Sequence, residues 1–189
     1  MNIFYIDKDP RVCAEQMVDK HVVKMILETA QLLSTAHRLL DGEEYIENKY
    51  VTGSLPPRYR KTKRWRLPDD RDTILYSATH INHPSAVWCR QNRSNYEWLF
   101  AHFIYLCKEY TYRYNNKIHK CEMNDLFVDR LSHFPTNLPY GDFTPVTPAM
   151  AAEYIISDDS MTNYRNYYRL GKIHLHKWTK RQPPEWLAA

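Results

Sequence analysis

Residues 16–38, QMVDKHVVKMILETAQLLSTAHR, decide the fold. Val22, Met25, Ile26, Thr29, Leu33, Ala36 and, just beyond, Leu40 recur at helical spacing and form one apolar stripe. His21, Lys24, Glu28, Gln31 and Thr35 run beside that stripe at intervals of three and four. The spacing lines up an imidazole, an amine and a carboxylate along one helical strip. Such a strip, bordering a core-facing stripe, suits acid–base chemistry. The same pattern also fits plain surface ion pairing, because Lys24 and Glu28 stand at i, i+4.

Working outward, Asp9-Pro10 reads as a cap followed by proline in the first turn, so one helix is predicted from there to about residue 40. Residues 2–6 are a short strand or an extended arm. Asp41-Gly42 ends the helix. Periodicity then fails over 43–71, where Gly53, Pro56, Pro57 and Pro68 predict a loop-rich insertion in a single helical domain spanning 1–189. Asn82-His83-Pro84 signals a short helix over 86–91. A stronger helix starts at Ser94 or Asn95 and carries Trp98, Leu99, Phe103, Leu106 and Tyr110 on its apolar face. Further helices are predicted over 119–134, 149–156 and 158–170, with a proline-punctuated loop over 135–148. The fold is therefore mostly α and compact, with a long basic loop insertion and a short N-terminal extended arm.

The chain has 189 residues, a formal charge of +4, 15 tyrosines and only four glycines. No GxGxxG or GxxxxGK[ST] occurs, so no nucleotide cofactor is expected. The mildly basic balance fits a polyanionic partner without requiring one. Cys13, Cys89, Cys107 and Cys121 are scattered with no CxxC pair, as in a reducing compartment. The start MNIFYIDKDP has too short an apolar run for a signal peptide, and no run approaches a transmembrane length. A soluble, cytoplasmic protein without membrane contact is expected.

Three constellations stand out. Asp19, His21, Lys24 and Glu28 form the titratable strip. Arg58, Arg60, Lys61, Lys63, Arg64 and Arg66 put six cations in nine positions, interleaved with Tyr59 and Trp65. Cations meet phosphates, and aromatic rings stack on bases. Tyr164, Arg165, Tyr167, Tyr168 and Lys172 make a second basic-aromatic cluster, at least one of whose tyrosines belongs to the core. His80 and His83, with Arg90 nearby, are further candidates for nucleic-acid contact. Their HxxH spacing lacks the partners of a metal motif, so no metal is expected. His174 and His176 receive no role.

The Asp19-x-His21 pair followed by Glu28 resembles the bacteriophage pyrimidine-dimer DNA glycosylases of the endonuclease V type. In that family a D-x-H segment precedes the catalytic glutamate by the same spacing. His83 before two helices, the basic-aromatic stretch 108–114 and the segment from Tyr164 to Lys172 are similar to the family's middle and end. The resemblance implies a compact all-α enzyme that binds double-stranded DNA, displaces a base and cuts its glycosidic bond, with possible strand cleavage to follow. It implies that Glu28 is the catalytic carboxylate, His21 its histidine and an N-terminal α-amine the nucleophile. As a class, α-amines titrate near ~8, so a useful fraction is neutral at physiological pH.

This chain departs from the family pattern in three ways. Its arm is about five residues longer, and Leu27 and Gln31 replace flanking arginines. Asn2 is also bulky enough to disfavour removal of Met1. Met1 and Lys24 are therefore both candidate amines. Two alternatives stay open at this level: modification of a flipped base without excision, and nucleic-acid binding without catalysis.

Overall fold

In the computed structural model, which describes residues 1–50, 52–53, 56 and 58–188, Asp9 starts the first helix. Its carboxylate accepts from the N–H groups of Arg11 (2.7 Å) and Val12 (3.1 Å), and α1 spans Pro10–Gln16. The single helix expected from here to residue 40 is instead broken. Met17 and Val18 are extended, and the chain restarts as α2, Asp19–Asp41. The backbone groups freed by the break are satisfied from elsewhere. Arg113 donates to the carbonyls of Glu15 (2.9 Å) and Met17 (2.8 Å), and the N–H of Asp19 donates to the carbonyl of Lys177 (2.9 Å).

The apolar stripe of α2 is the centre of the core. Val22, Met25, Ile26, Thr29, Leu33 and Ala36 are buried, and the helix packs on α5, Arg93–Arg113, and on α4, Pro84–Cys89. In α5, Leu99, Phe103 and Leu106 are buried while Trp98 and Tyr110 flank the core. Asn92 caps α5 through the Asn95 N–H (2.9 Å). The helix predicted over 119–134 is only α6, Asp125–Ser132; the chain before it turns, with Asn115 and Asn116 at φ of 56° and 62°. The segment 149–156 holds no α-helix but a 3₁₀ turn at Ala152–Tyr154. The Ala149 N–H donates to the Tyr164 hydroxyl (3.2 Å), and its carbonyl accepts from Asn2 (2.7 Å), so its backbone is bonded elsewhere. Asp159 caps α7, Ser160–Gly171.

The largest difference lies in the insertion. Residues expected to form a loop pair as an antiparallel hairpin, β1 (Glu43–Tyr50) with β2 (Tyr59–Arg66), from Glu43 opposite Arg66 to Tyr50 opposite Tyr59. Of the prolines that suggested a loop, Pro57 lies outside the described residues. Buried Arg38 clamps the hairpin to α2. It donates to the carbonyls of Trp65 (2.8 Å) and Tyr76 (2.7 Å) and to the Asp72 carboxylate (2.7 Å), on the short helix α3, Arg71–Ile74. Gly42 permits the tight turn from helix into hairpin: a Cβ there would stand 2.5 Å from the Arg38 carbonyl oxygen of α2 and 3.2 Å from the Arg66 carbonyl oxygen of β2. The four cysteines are buried free thiols. Among the described residues, no helix is long and apolar enough to cross a membrane. The fold is mostly α.

Candidate active site at the N-terminal arm

The arm, residues 2–6, is buried and joins no sheet. Asn2 folds its own start. Its side-chain oxygen accepts from the N–H groups of Ile3 (2.8 Å) and Phe4 (3.2 Å), while its amide donates to the Ala149 carbonyl (2.7 Å). Phe4 sits at φ 55°, a left-handed conformation that a bulky residue keeps only when its surroundings hold it there. Its surroundings are aromatic. The Phe4 ring stacks on His21 at 4.0 Å and 18°, lies over Tyr167 at 6.1 Å and meets Tyr168 edge-on at 5.5 Å.

This clamp sets the chain start on the helix strip. The Met1 amine lies 4.0 Å from Glu28 Oε2, and the Asn2 N–H donates to the same oxygen at 3.0 Å. Lys24 Nζ reaches Oε1 at 3.1 Å. Glu28 therefore stands between two amines, with 13% of its side chain exposed. The two amines differ in setting: the Lys24 side chain is 68% exposed, whereas that of Met1 is 4% exposed. Met1 as a whole is only half-buried, so its accessible part is the backbone end.

The two histidines around the carboxylate are not alike. Burial, with help from Lys172 and Lys24, pushes His21 down to about 3, so it is neutral at physiological pH. Its Nδ1 lies 2.5 Å from the Tyr168 hydroxyl. It therefore packs and orients the arm. His83 caps α4, with Nδ1 accepting from the Ser85 N–H (3.2 Å). Burial lowers its pKa first, the N-terminal ammonium and His80 lower it further, and Glu28 opposes them. A neutral His83 whose Nδ1 accepts carries its proton on Nε2. From His83 a groove of about 540 Å³, lined by His80, Thr79, Trp65 and Lys63, runs to the base of the hairpin.

The remaining sequence candidates divide. Asp19 is structural: burial alone would raise its pKa, but Thr179 and Arg113 hydrogen bonds hold the carboxylate below its usual range. Tyr164 and Tyr168 were expected to contact DNA, but both are buried, their hydroxyls used by Ala149 and His21, which withdraws their rings from any such contact in this structure. Arg165 is turned inward to the Ile6 carbonyl (2.8 Å) and Asp7 (3.2 Å). Arg90 is half-buried, and its Nη1 has no hydrogen-bond partner among the described residues. Tyr167 is partly accessible beneath Lys172, whose amine lies 4.6 Å from the ring. Lys63 and Arg64 pair with Glu44 (2.8 Å) and Glu47 (2.9 Å), and Arg66 lies over Tyr45 at 5.0 Å. Arg58, Arg60 and Lys61 are exposed on the distal hairpin, whereas Trp65 is half-buried at its base. His80 is exposed and strained at φ 47°.

Sequence reasoning missed Asn2 and Phe4 as site-building residues. An isolated asparagine and phenylalanine in an apolar start carry no periodic signal; the left-handed Phe4 backbone is visible only in three dimensions. Among the described residues, no three His, Cys, Asp or Glu side chains are grouped to hold a metal ion.

The family model described as pyrimidine dimer DNA glycosylase matches residues 1–123, which contain the arm, the α2 strip, the hairpin and His83. No curated protein and no solved structure matches the chain.

Proposed function

The chain belongs to the pyrimidine dimer DNA glycosylase family, and from that premise we propose that it excises damaged or modified bases from duplex DNA. Glu28 is the catalytic carboxylate and the N-terminal α-amine is the nucleophile. The observation that carries this assignment is the placement of the amine 4.0 Å from the same Glu28 oxygen that holds the Asn2 N–H. Were Met1 removed, the Asn2 nitrogen, at 3.0 Å, would become the amine at that oxygen. Lys24 is nearer to the carboxylate than the Met1 amine is, but its long side chain is mostly in solvent. The entropy of fixing it against a sugar makes it the weaker nucleophile here.

The target nucleotide is displaced from the stack, because its C1′ is shielded inside a duplex. The unprotonated amine attacks C1′, the bond to the base breaks, and the base leaves with the electron pair and takes up a proton. Glu28 receives the proton that the new C1′–N group gives up. The nitrogen lone pair then opens the sugar ring to an iminium, with that proton passing to O4′. Removal of a C2′ proton expels the 3′ phosphate and cuts the strand. His21 acts as a positioning residue: through Phe4 it holds the arm, and its neutral ring is not required to exchange a proton. His83, with a proton on Nε2, can donate to the displaced nucleotide without adding charge beside the amine.

Glu28→Gln tests the assignment on a duplex carrying a single cyclobutane pyrimidine dimer and on a panel of modified-base duplexes. Base release should fall by about 10²–10⁴-fold with duplex binding retained. Base release equal to that of the unaltered protein would remove Glu28 from the mechanism.

A further inference from the structure

The outer part of the hairpin is rich in cations without neighbouring acids. Residues 48–61 of the sequence contain Lys49, Arg58, Arg60 and Lys61 and no acidic residue. The proximal half differs: Glu43 stands opposite Arg66, and Lys63 and Arg64 are ion-paired across the strands to Glu44 and Glu47.

We propose that the hairpin is a DNA-gripping arm whose distal half, through Arg60 and Lys61, binds the phosphates of the duplex flanking the displaced nucleotide. This rests on the reading of the chain as a DNA glycosylase. Arg60 and Lys61 are both exposed, and among the described residues neither has a carboxylate within ion-pair distance. As neighbours on one strand they point to opposite faces of the ribbon. Cations on both faces suit a ribbon with phosphates on either side, and the major groove admits a two-stranded ribbon.

The ribbon has reach and a firm root. Eight paired residues per strand extend roughly 26 Å at ~3.3 Å per residue. The Arg38 hydrogen bonds fix its base to α2, the helix that carries Glu28. The groove from Trp65 and Lys63 to His83 joins that base to the candidate active site. Near the tip, Tyr50 and Tyr59 meet edge to face at 5.7 Å and brace the strands where the cations stand.

The test is duplex binding of an undamaged oligonucleotide, titrated over about 50–200 mM salt. Each phosphate contact contributes about 0.9 to the slope of log K against log salt. Arg60→Gln/Lys61→Gln should lower that slope by about 1.8, so that its affinity loss across this range is about tenfold smaller than that of the unaltered protein. Lys117→Gln/Lys120→Gln, exposed and far along the chain, removes the same formal charge and should leave the slope unchanged. Equal slope losses in the two variants would overturn the arm. So would an unchanged slope in the hairpin variant while the unaltered protein binds and excises. A hairpin-dependent slope without base release on any substrate would instead support the arm and overturn the glycosylase reading. Absence of duplex binding by the unaltered protein would overturn both.

Discussion

Arg113→Met should destabilise the protein by about 4 kcal/mol, and the structure shows where that figure arises. The Arg113 side chain is fully buried and ion-pairs with Asp19 (2.9 Å) and Glu109 (2.6 Å). It also donates to the carbonyls of Met17 and Glu15 at the break between α1 and α2. Methionine fills much of the same space, so the loss is mainly electrostatic. Removing one partner of a buried ion pair costs about 3–5 kcal/mol. Here the stranded carboxylates keep other partners, Thr179 for Asp19 and Arg181 for Glu109, which places that part near 3 kcal/mol. The buried Met17 carbonyl and the half-buried Glu15 carbonyl, left without this donor, add on the order of 1 kcal/mol.

Urea unfolding at neutral pH checks this. With a slope of about 2 kcal/mol per molar, the midpoint should fall by roughly 2 M. Arg181→Met is the control: that arginine is partly exposed and Glu109 retains Arg113, so the cost should stay below about 1 kcal/mol. An Arg113 variant within 1 kcal/mol of the unaltered protein would refute the view that this arginine locks the helix break. Equal losses in the two variants would refute it as well.

Stability should also fall in mild acid. Burial lowers His21 to about 3 and His37 and His102 to about 4, while the unfolded histidines titrate near ~6.5. Above that value all three are neutral in both states and their contribution is complete. As pH drops from about 6.5 toward 4 the unfolded chain takes up protons that the folded one refuses, costing up to about 1.4 kcal/mol per pH unit per histidine. Urea midpoints that stay level over that range would contradict the buried neutral assignment. His21→Leu should lower kcat by loosening Phe4 and the arm, yet leave the shape of the kcat–pH profile intact; loss of an ionisation from that profile would make His21 an acid–base group instead.

Much of the core was legible because its signals are periodic and local. The stripe from Val22 to Ala36 needs only helical spacing, and it is buried as the spacing requires. The caps at Asp9, His83 and Asp159 are short-range chemistry, and each start falls within two residues of its expected place. The break at Met17 and Val18 was hidden because neither glycine nor proline marks it; the donor that satisfies the Met17 carbonyl there is Arg113, 96 positions away along the chain. The hairpin escaped for a different reason. Most of its side chains on both faces are exposed, so burial imposes no alternation of apolar and polar residues. Its pairing is instead written in charge, with β1 acidic where proximal β2 is basic. At the candidate site, the placement of His21 and Glu28 along one strip of α2 was readable from spacing, whereas their surroundings were not. The inward turn of His21 depends on Tyr168, and the nearness of Glu28 to the amine depends on the Asn2 and Phe4 backbone.

Borohydride trapping on a duplex bearing a cyclobutane pyrimidine dimer or another excised base tests the central claim most directly. Reduction of the iminium fixes DNA to the attacking nitrogen, and peptide mapping by mass spectrometry identifies it. The adduct is predicted on the N-terminal peptide, at the α-amine beside Glu28. An adduct on Lys24, or base release with no trapped complex, would contradict the account.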